Sequence, residues 1–385
     1  MTWKKIIGQE RVKNLLQKAI HENKIPHAYC FWGQEGIGKD ALAIEFARVV
    51  NCRSPIRTGA GIEACENCHS CKSSHSLQHR NIHIIFSMPT GKSGDTKKDT
   101  VLEKLTEEQV EEYYEQIKLK SENPYHKIIM SNANQIRIAS IRELKKRLVL
   151  TSSGEGRVCV IVSRADEMTT EAANAFLKTL EEPHENVTII ITTSRQDVIL
   201  PTILSRCQQV RCEPLSDSDI AQALQDRNNV TQQEAILISA FAQGSYTRAV
   251  EFLGEAMQEM RENAIEFLRS MLKKKVYRVE VASHIEQLTK KHDRRETELI
   301  LSMLLLWMRD VSNFSMTGKK DKIINIDKYD ILQKFTVGYP NKDYFQAIEM
   351  LEKSINQLRK NVAPQLVLMR TVLDLRRLFL FSQNN

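Results

Sequence analysis

The feature that most restricts the fold is a single loop, Gly33-Gln34-Glu35-Gly36-Ile37-Gly38-Lys39-Asp40. It follows a short apolar run and opens an amphipathic stretch. This is the strand–loop–helix setting of a phosphate-binding loop. Gly33, Gly36 and Gly38 let backbone N–H groups curl around phosphates. The helix start adds positive potential, and Lys39 can reach terminal phosphates. The last position breaks the pattern. A hydrolase has Ser or Thr there, whose hydroxyl holds Mg²⁺. Asp40 can also reach a metal, but it sets negative charge beside the phosphates.

A second departure points the same way. A hydrolase of this type places an acid at the end of another buried strand. The matching run, Val158–Val162, is followed by Ser163-Arg164. Asp166 and Glu167 come later and read as acids of a loop or helix start, the other reading being displaced catalytic acids. The loop keeps its shape, and its metal chemistry is in question.

Apolar runs at Ala28–Trp32, Ile82–Phe86, Val158–Val162, Val187–Thr192 and Gln208–Arg211 alternate with helical patterns. Near-continuous apolar strands belong to a parallel sheet covered on both faces, so residues 1–214 read as an α/β domain. Residues 87–130 break the rhythm. They open on a loop, Gly91-Lys92-Ser93-Gly94-Asp95, and continue as an acidic helical run, 102–120, with a capping box at Thr100 and Glu103. They read as a surface insertion, a solvated helix or else a docking element. After Pro214 the strand signals fade. A small helical domain is expected over 215–255, with Ser216 and Ser218 as caps, and a larger one over 256–385. The last helix, 362–381, carries Leu366, Leu368, Met369, Val372, Leu373, Leu375, Leu378 and Leu380. So wide an apolar face needs partners on several sides, in a bundle core or at a subunit interface.

Eight cysteines are present, and Cys52, Cys65, Cys68 and Cys71 form a C-x12-C-x2-C-x2-C cluster. Four thiolates satisfy tetrahedral zinc and leave no open position for catalysis. An iron–sulfur cluster is the rival. Cys30, Cys159, Cys207 and Cys212 lie in or next to strand patterns and read as buried thiols. No apolar run is long enough to cross a bilayer, and Met1–Lys5 has no apolar stretch of signal-peptide length behind it. A cytoplasmic protein with no membrane contact is expected. The net charge of +7 permits nucleic-acid contact without requiring it.

Three stretches carry a family resemblance. They are Ile7-Gly8-Gln9-Glu10 with Ile25-Pro26-His27-Ala28-Tyr29, the cysteine module behind the phosphate loop, and Ala173–Pro183 with Leu204-Ser205-Arg206-Cys207. Over residues 1–255 the chain resembles bacterial clamp-loader subunits of DNA polymerase III, an AAA+ family. The departures at Asp40 and Ser163-Arg164 favour its delta-prime branch, which generally does not hydrolyse ATP, over gamma/tau, which does. An active gamma/tau-type ATPase is the alternative, and a zinc-bearing adaptor outside replication a more distant one. The resemblance implies an AAA+ domain with a zinc module, a helical lid and a helical collar. It implies a hetero-oligomer with gamma/tau and delta subunits that loads a sliding clamp onto primed DNA. Arg206 would be an arginine finger acting on a neighbour's ATP. Arg248 would be a lid arginine, and Thr192 and Thr193 would match the first sensor. ATP or ADP in the chain's own loop is left open.

Overall fold

The computed structural model describes residues 2–59, 61–90, 100–151, 156–182, 185–253, 255–291, 294–320 and 323–381. Two compact units emerge, Met1–Ala223 with Gln243–Arg248, and Leu224–Ala242 with Ala249–Asn385.

The first unit runs α1 (Glu10–His21), β1 (Ala28–Trp32), α2 (Lys39–Val50), β2 (Ile56–Thr58), β3 (Gly61–Glu63), α3 (His69–His75) and β4 (Ile82–Ile85). It continues with α4 (Glu107–Glu122), α5 (Ile138–Thr151), β5 (Val158–Val162), α6 (Thr170–Glu181), β6 (Val187–Thr193), α7 (Pro201–Leu204) and β7 (Gln208–Arg211). Five strands form one parallel sheet in the order β4-β5-β6-β1-β7. Strand β1, at the phosphate loop, lies beside β6, with Cys30 opposite Ile191. Every residue of β5 and β6 is buried, as continuous β-branched runs demand when helices cover both faces. Edge strand β7 buries only Val210. Cys30, Cys159, Cys207 and Cys212 are all buried, and burial pushes each thiol up to about 12.

Helix α6 shows why the local sequence folds as it does. Thr169 caps it, accepting from the Ala172 N–H, and Ala172, Ala173, Phe176, Thr179 and Leu180 recur at helical spacing on its buried face. The insertion differs from expectation. The Thr100–Glu103 box does form, but it closes only a 3₁₀ turn, Leu102–Lys104. A second box, Thr106 with Gln109, starts the helix proper. Nor is the insertion a solvated appendage. Leu105, Ile128 and Met130 are buried with Phe86, and Lys120 and Tyr125 are buried too. The expected loop 91–95 lies outside the described residues.

The outer strand β4 carries a titratable group. The Nε2 of His83 is buried and makes no hydrogen bond. Burial pushes the imidazole down to about 4, with Arg147 and His79 adding to the shift. The unfolded chain therefore takes up a proton near its ordinary pKa, about 6.5, where the folded chain does not. Stability contributed by neutral His83 is present above about 6.5 and lost as pH falls towards about 4. Between pH 7 and pH 5 this amounts to about 2 kcal/mol. Urea unfolding at the two pH values should show it, and His83→Phe should flatten the difference. An equal pH dependence in wild type and variant would remove His83 from that account.

From Asp217 onward all described elements are helical. The helices α8 (Asp217–Asn228) and α10 (Tyr246–Glu251) have residues in both units, and α9 (Gln232–Ala242), α11 (Glu255–Leu272), α12 (Tyr277–Lys291) and α13 (Arg294–Thr317) lie in the second. The chain then forms α14 (Tyr329–Gly338), α15 (Tyr344–Arg359) and α16 (Pro364–Arg376), which ends in a π turn, Arg377–Phe381. Ser216 caps α8 through the Asp219 N–H, whereas Ser218 lies inside the helix. Helix α15 buries Tyr344, Ala347, Leu351, Ile355 and Leu358 in a single stripe. Helix α16 divides its apolar residues. Leu368, Val372 and Leu375 are buried, while Leu366 at 63%, Met369 at 56% and Leu373 at 62% stay exposed. No described helix is long and apolar enough to cross a membrane.

Candidate functional site

The phosphate loop joins β1 to α2, with Gly38 as N-cap in the left-handed region at φ 95°. A side chain at Gly38 would strike the Tyr125 ring, its Oη 2.9 Å from the added Cβ. One at Gly36, φ 80°, would collide with the hydroxyls of Ser245 and Thr247. Only glycine allows both the backbone turn and this approach. The Tyr246 N–H also donates to the Gly36 carbonyl at 3.0 Å. Lys39 is buried and donates to the carbonyls of Gly33 (2.8 Å) and Gln34 (2.6 Å). Burial lowers its pKa, against the pull of Asp40.

Asp40 is the centre of the site. Its Oδ1 accepts from the Thr192 hydroxyl at 2.8 Å. Its Oδ2 accepts from the Ser163 hydroxyl at 2.7 Å and from the Lys120 ammonium at 3.0 Å. Burial alone would push this carboxyl up. Lys120, helped by hydrogen bonds from Ser163, Thr192 and Lys120, reverses that and holds it well below the usual carboxylate range. Lys120 arrives from the last turn of α4 and donates a second bond to the His126 carbonyl at 2.7 Å. Beyond α4, the Tyr125 hydroxyl accepts from the Ile7 N–H at 2.8 Å, and Arg164 donates to the Ile128 carbonyl at 2.8 Å.

The remaining sequence candidates are placed as follows. Asp166 accepts from Thr193 at 2.8 Å and pairs with Arg195 at 2.9 Å. Glu167 accepts from Ser87 and pairs with Arg164. Arg248 donates to the Gln243 side chain at 3.2 Å. Arg206 lies just after α7, 35% exposed, paired with Glu181 at 3.0 Å and donating to the Thr202 carbonyl.

The four cysteines meet. Their sulfurs all lie within 4.8 Å of one another, and among the described residues they form the one His/Cys/Asp/Glu group able to hold a metal ion. The Cys71 sulfur is 3.5 Å from that of Cys52 and 3.9 Å from that of Cys65. Tetrahedral zinc with Zn–S bonds of about 2.3 Å sets its sulfurs about 3.8 Å apart. The N–H groups of Cys65, Cys68 and Cys71 point at the sulfurs of Cys52, Cys65 and Cys68 at 3.2, 3.4 and 3.4 Å. The donor set fits a metal such as zinc. The β2–β3 hairpin stands between Cys52 and the other three.

A family model described as DNA polymerase III, delta subunit matches residues 8–216. The chain belongs to that family. This DNA polymerase III delta family member is 25% identical to DNA polymerase III subunit delta' of Bacillus subtilis, over 98% of this chain and 99% of that one. It is 28% identical to subunit delta' of Pseudomonas aeruginosa, over 65% of this chain and 62% of the relative. It is 22% identical to subunit tau of B. subtilis, over 94% of this chain and 59% of that protein. Among solved structures it is similar to a DNA polymerase III gamma subunit-related protein of Thermotoga maritima, with TM-score 0.39 and 17% identity over 96% of this chain and 99% of that one. The match to subunit delta' of B. subtilis, over 98% of this chain, carries the likeness past residue 255. Sequence reasoning found this family member's loop, its missing acid and its cysteine cluster. It missed Lys120 and Tyr125, whose partners in the loop lie far away in the chain.

Proposed function

We propose that this chain is a delta-prime-type stator of a DNA polymerase III clamp loader. It helps to place the sliding clamp on primed DNA and does not itself hydrolyse ATP. The observation that carries this reading is the Asp40 carboxylate, committed to Lys120, Ser163 and Thr192 where a motor subunit needs a hydroxyl and a free acid. Arg206 projects at the end of α7 and acts in trans, stabilising charge on ATP held by a neighbouring gamma/tau-type subunit. Thr193 and Arg248 keep structural duties in this reading, and any ATP or ADP bound to the chain is not turned over. Cys52, Cys65, Cys68 and Cys71 hold a structural zinc. Residues 1–214 serve as the AAA+ domain, 215–255 as the lid and 256–385 as the collar. The exposed row Leu366, Met369 and Leu373 supports assembly with gamma/tau and delta subunits, because an apolar stripe on a helix calls for a partner.

Steady-state hydrolysis by the purified chain with Mg²⁺, primed DNA and clamp tests the reading. No turnover above background is expected. Turnover that disappears with Lys39→Ala would make the chain an active gamma/tau-type subunit instead.

A further inference from the structure

A hydrolase holds Mg²⁺ between a hydroxyl that follows the loop lysine and a carboxylate at the end of a second strand. Both groups are present in this chain, with their places exchanged. The carboxylate, Asp40, follows Lys39, and the hydroxyl, Ser163, stands at the end of β5, the two 2.7 Å apart. Between the loop and the insertion sits a positive charge already, the Lys120 ammonium at 3.0 Å from Asp40. We infer that Lys120 is a built-in counter-cation, taking the role of the divalent ion and closing the loop to Mg²⁺ and to Mg²⁺-bound nucleotide.

Three features separate this from an ordinary ion pair. Lys120 is 3% exposed, so its charge is committed to the interior, where an ammonium persists only with close partners. It is held at two points, by Asp40 and by the His126 carbonyl, and His126 is itself bonded to Gln116. The segment behind it is fastened to the same site through Tyr125 to Ile7 and Arg164 to Ile128. The insertion thus presents the ammonium from a fixed frame. Mg²⁺ requires near-octahedral oxygens at about 2.0–2.1 Å. Both Asp40 oxygens already accept hydrogen bonds, and a resident ammonium repels a second cation. The residues present do not fit a Mg²⁺–nucleotide complex. The loop is a joint that fastens the insertion to the sheet.

The test uses the full chain alone and reads melting temperature and nucleotide binding, so it is independent of what Arg206 does in an assembly. Wild type is expected to show no shift with millimolar Mg²⁺ and no Mg²⁺-dependent binding of ADP or ATP. Lys120→Met leaves Asp40 without its cation. Because the Asp40 side chain keeps 23% of its exposure, the loss is moderate, on the order of 5 °C. Millimolar Mg²⁺ should recover most of it in this variant alone. The double variant Asp40→Asn/Lys120→Met removes both charges and should melt near wild type without responding to Mg²⁺ as Lys120→Met does. If Lys120→Met does not fold, the double variant decides. A folded double variant supports the inference, and an unfolded one overturns it. Mg²⁺-dependent nucleotide binding by wild type, or a Mg²⁺ response of Lys120→Met no larger than that of wild type, would also overturn it.

Discussion

With Arg206→Ala in this chain, the reconstituted assembly is expected to turn over ATP at the adjoining site on the order of 10³-fold more slowly. Clamp loading onto primed DNA should fall with it. The size follows from what a guanidinium does beside a transferring phosphoryl group, where it meets charge that develops in the transition state and is poorly screened. The variant's own stability should barely move. Arg206 pairs with Glu181, and the two side chains are 35% and 47% exposed, so the solvent-screened pair contributes only about 0–1 kcal/mol. A melting temperature within about 2 °C of wild type is the matching control. Arg206→Lys should not restore turnover, since lysine keeps the charge but not the planar fork. Gel filtration of the assembly separates the outcomes. Intact assembly with slow turnover supports the finger. Intact assembly with unchanged turnover removes Arg206 from the reaction. Loss of the assembly would make it an interface residue instead.

How legible each part was depends on how local its signal is. The phosphate loop and the C-x2-C-x2-C steps are set by residues next to one another, and the structure forms both. The central strands were legible because β5 and β6 are apolar throughout, a pattern that only double-sided burial explains. The start of α4 was misplaced because Thr100 and Thr106 each head a capping box. Only the second leads into a continuous helix, and nothing local ranks one above the other. Lys120 was illegible for a deeper reason. It sits in an acidic amphipathic run like that of any solvated helix, and its partner Asp40 is 80 positions away. The anomaly at Asp40 was visible in the sequence, as was the missing acid at Ser163, but their juxtaposition is a property of the sheet. Helix α16 was half legible. Its apolar width is plain from the residues, and only packing against the bundle separates buried Leu368, Val372 and Leu375 from exposed Leu366, Met369 and Leu373.

One zinc ion per chain is expected by elemental analysis, and its loss should cost this protein more stability than any surface change. Strands β2 and β3 have three residues each and α3 has seven, too little to bury a core of their own. Four sulfurs converge beside them, and a metal bound there would hold them. Structural zinc sites of this kind bind with about 10–16 kcal/mol of apparent free energy, which small modules spend on folding. The module is also fastened to its unit. The Trp3 indole donates to the Ile62 carbonyl at 2.9 Å, Ser70 to the Asn51 carbonyl, and buried Arg48 of α2 pairs with Glu66 at 3.0 Å. Cys71→Ser, or a strong chelator, should therefore release the metal, melt the hairpin and lower the melting temperature by on the order of 10 °C. Acid should act in the same direction, because each thiolate must be free of its proton to bind, so the metal is retained at neutral pH and released as pH falls. A chelator that strips no metal and leaves the melting curve unchanged would refute the structural role. Visible absorbance with stoichiometric iron would assign the same four sulfurs to an iron–sulfur cluster. The two metals share the ligands Cys52, Cys65, Cys68 and Cys71 and differ in what they add. Zinc brings only geometry, and geometry is what a module with so little core of its own requires.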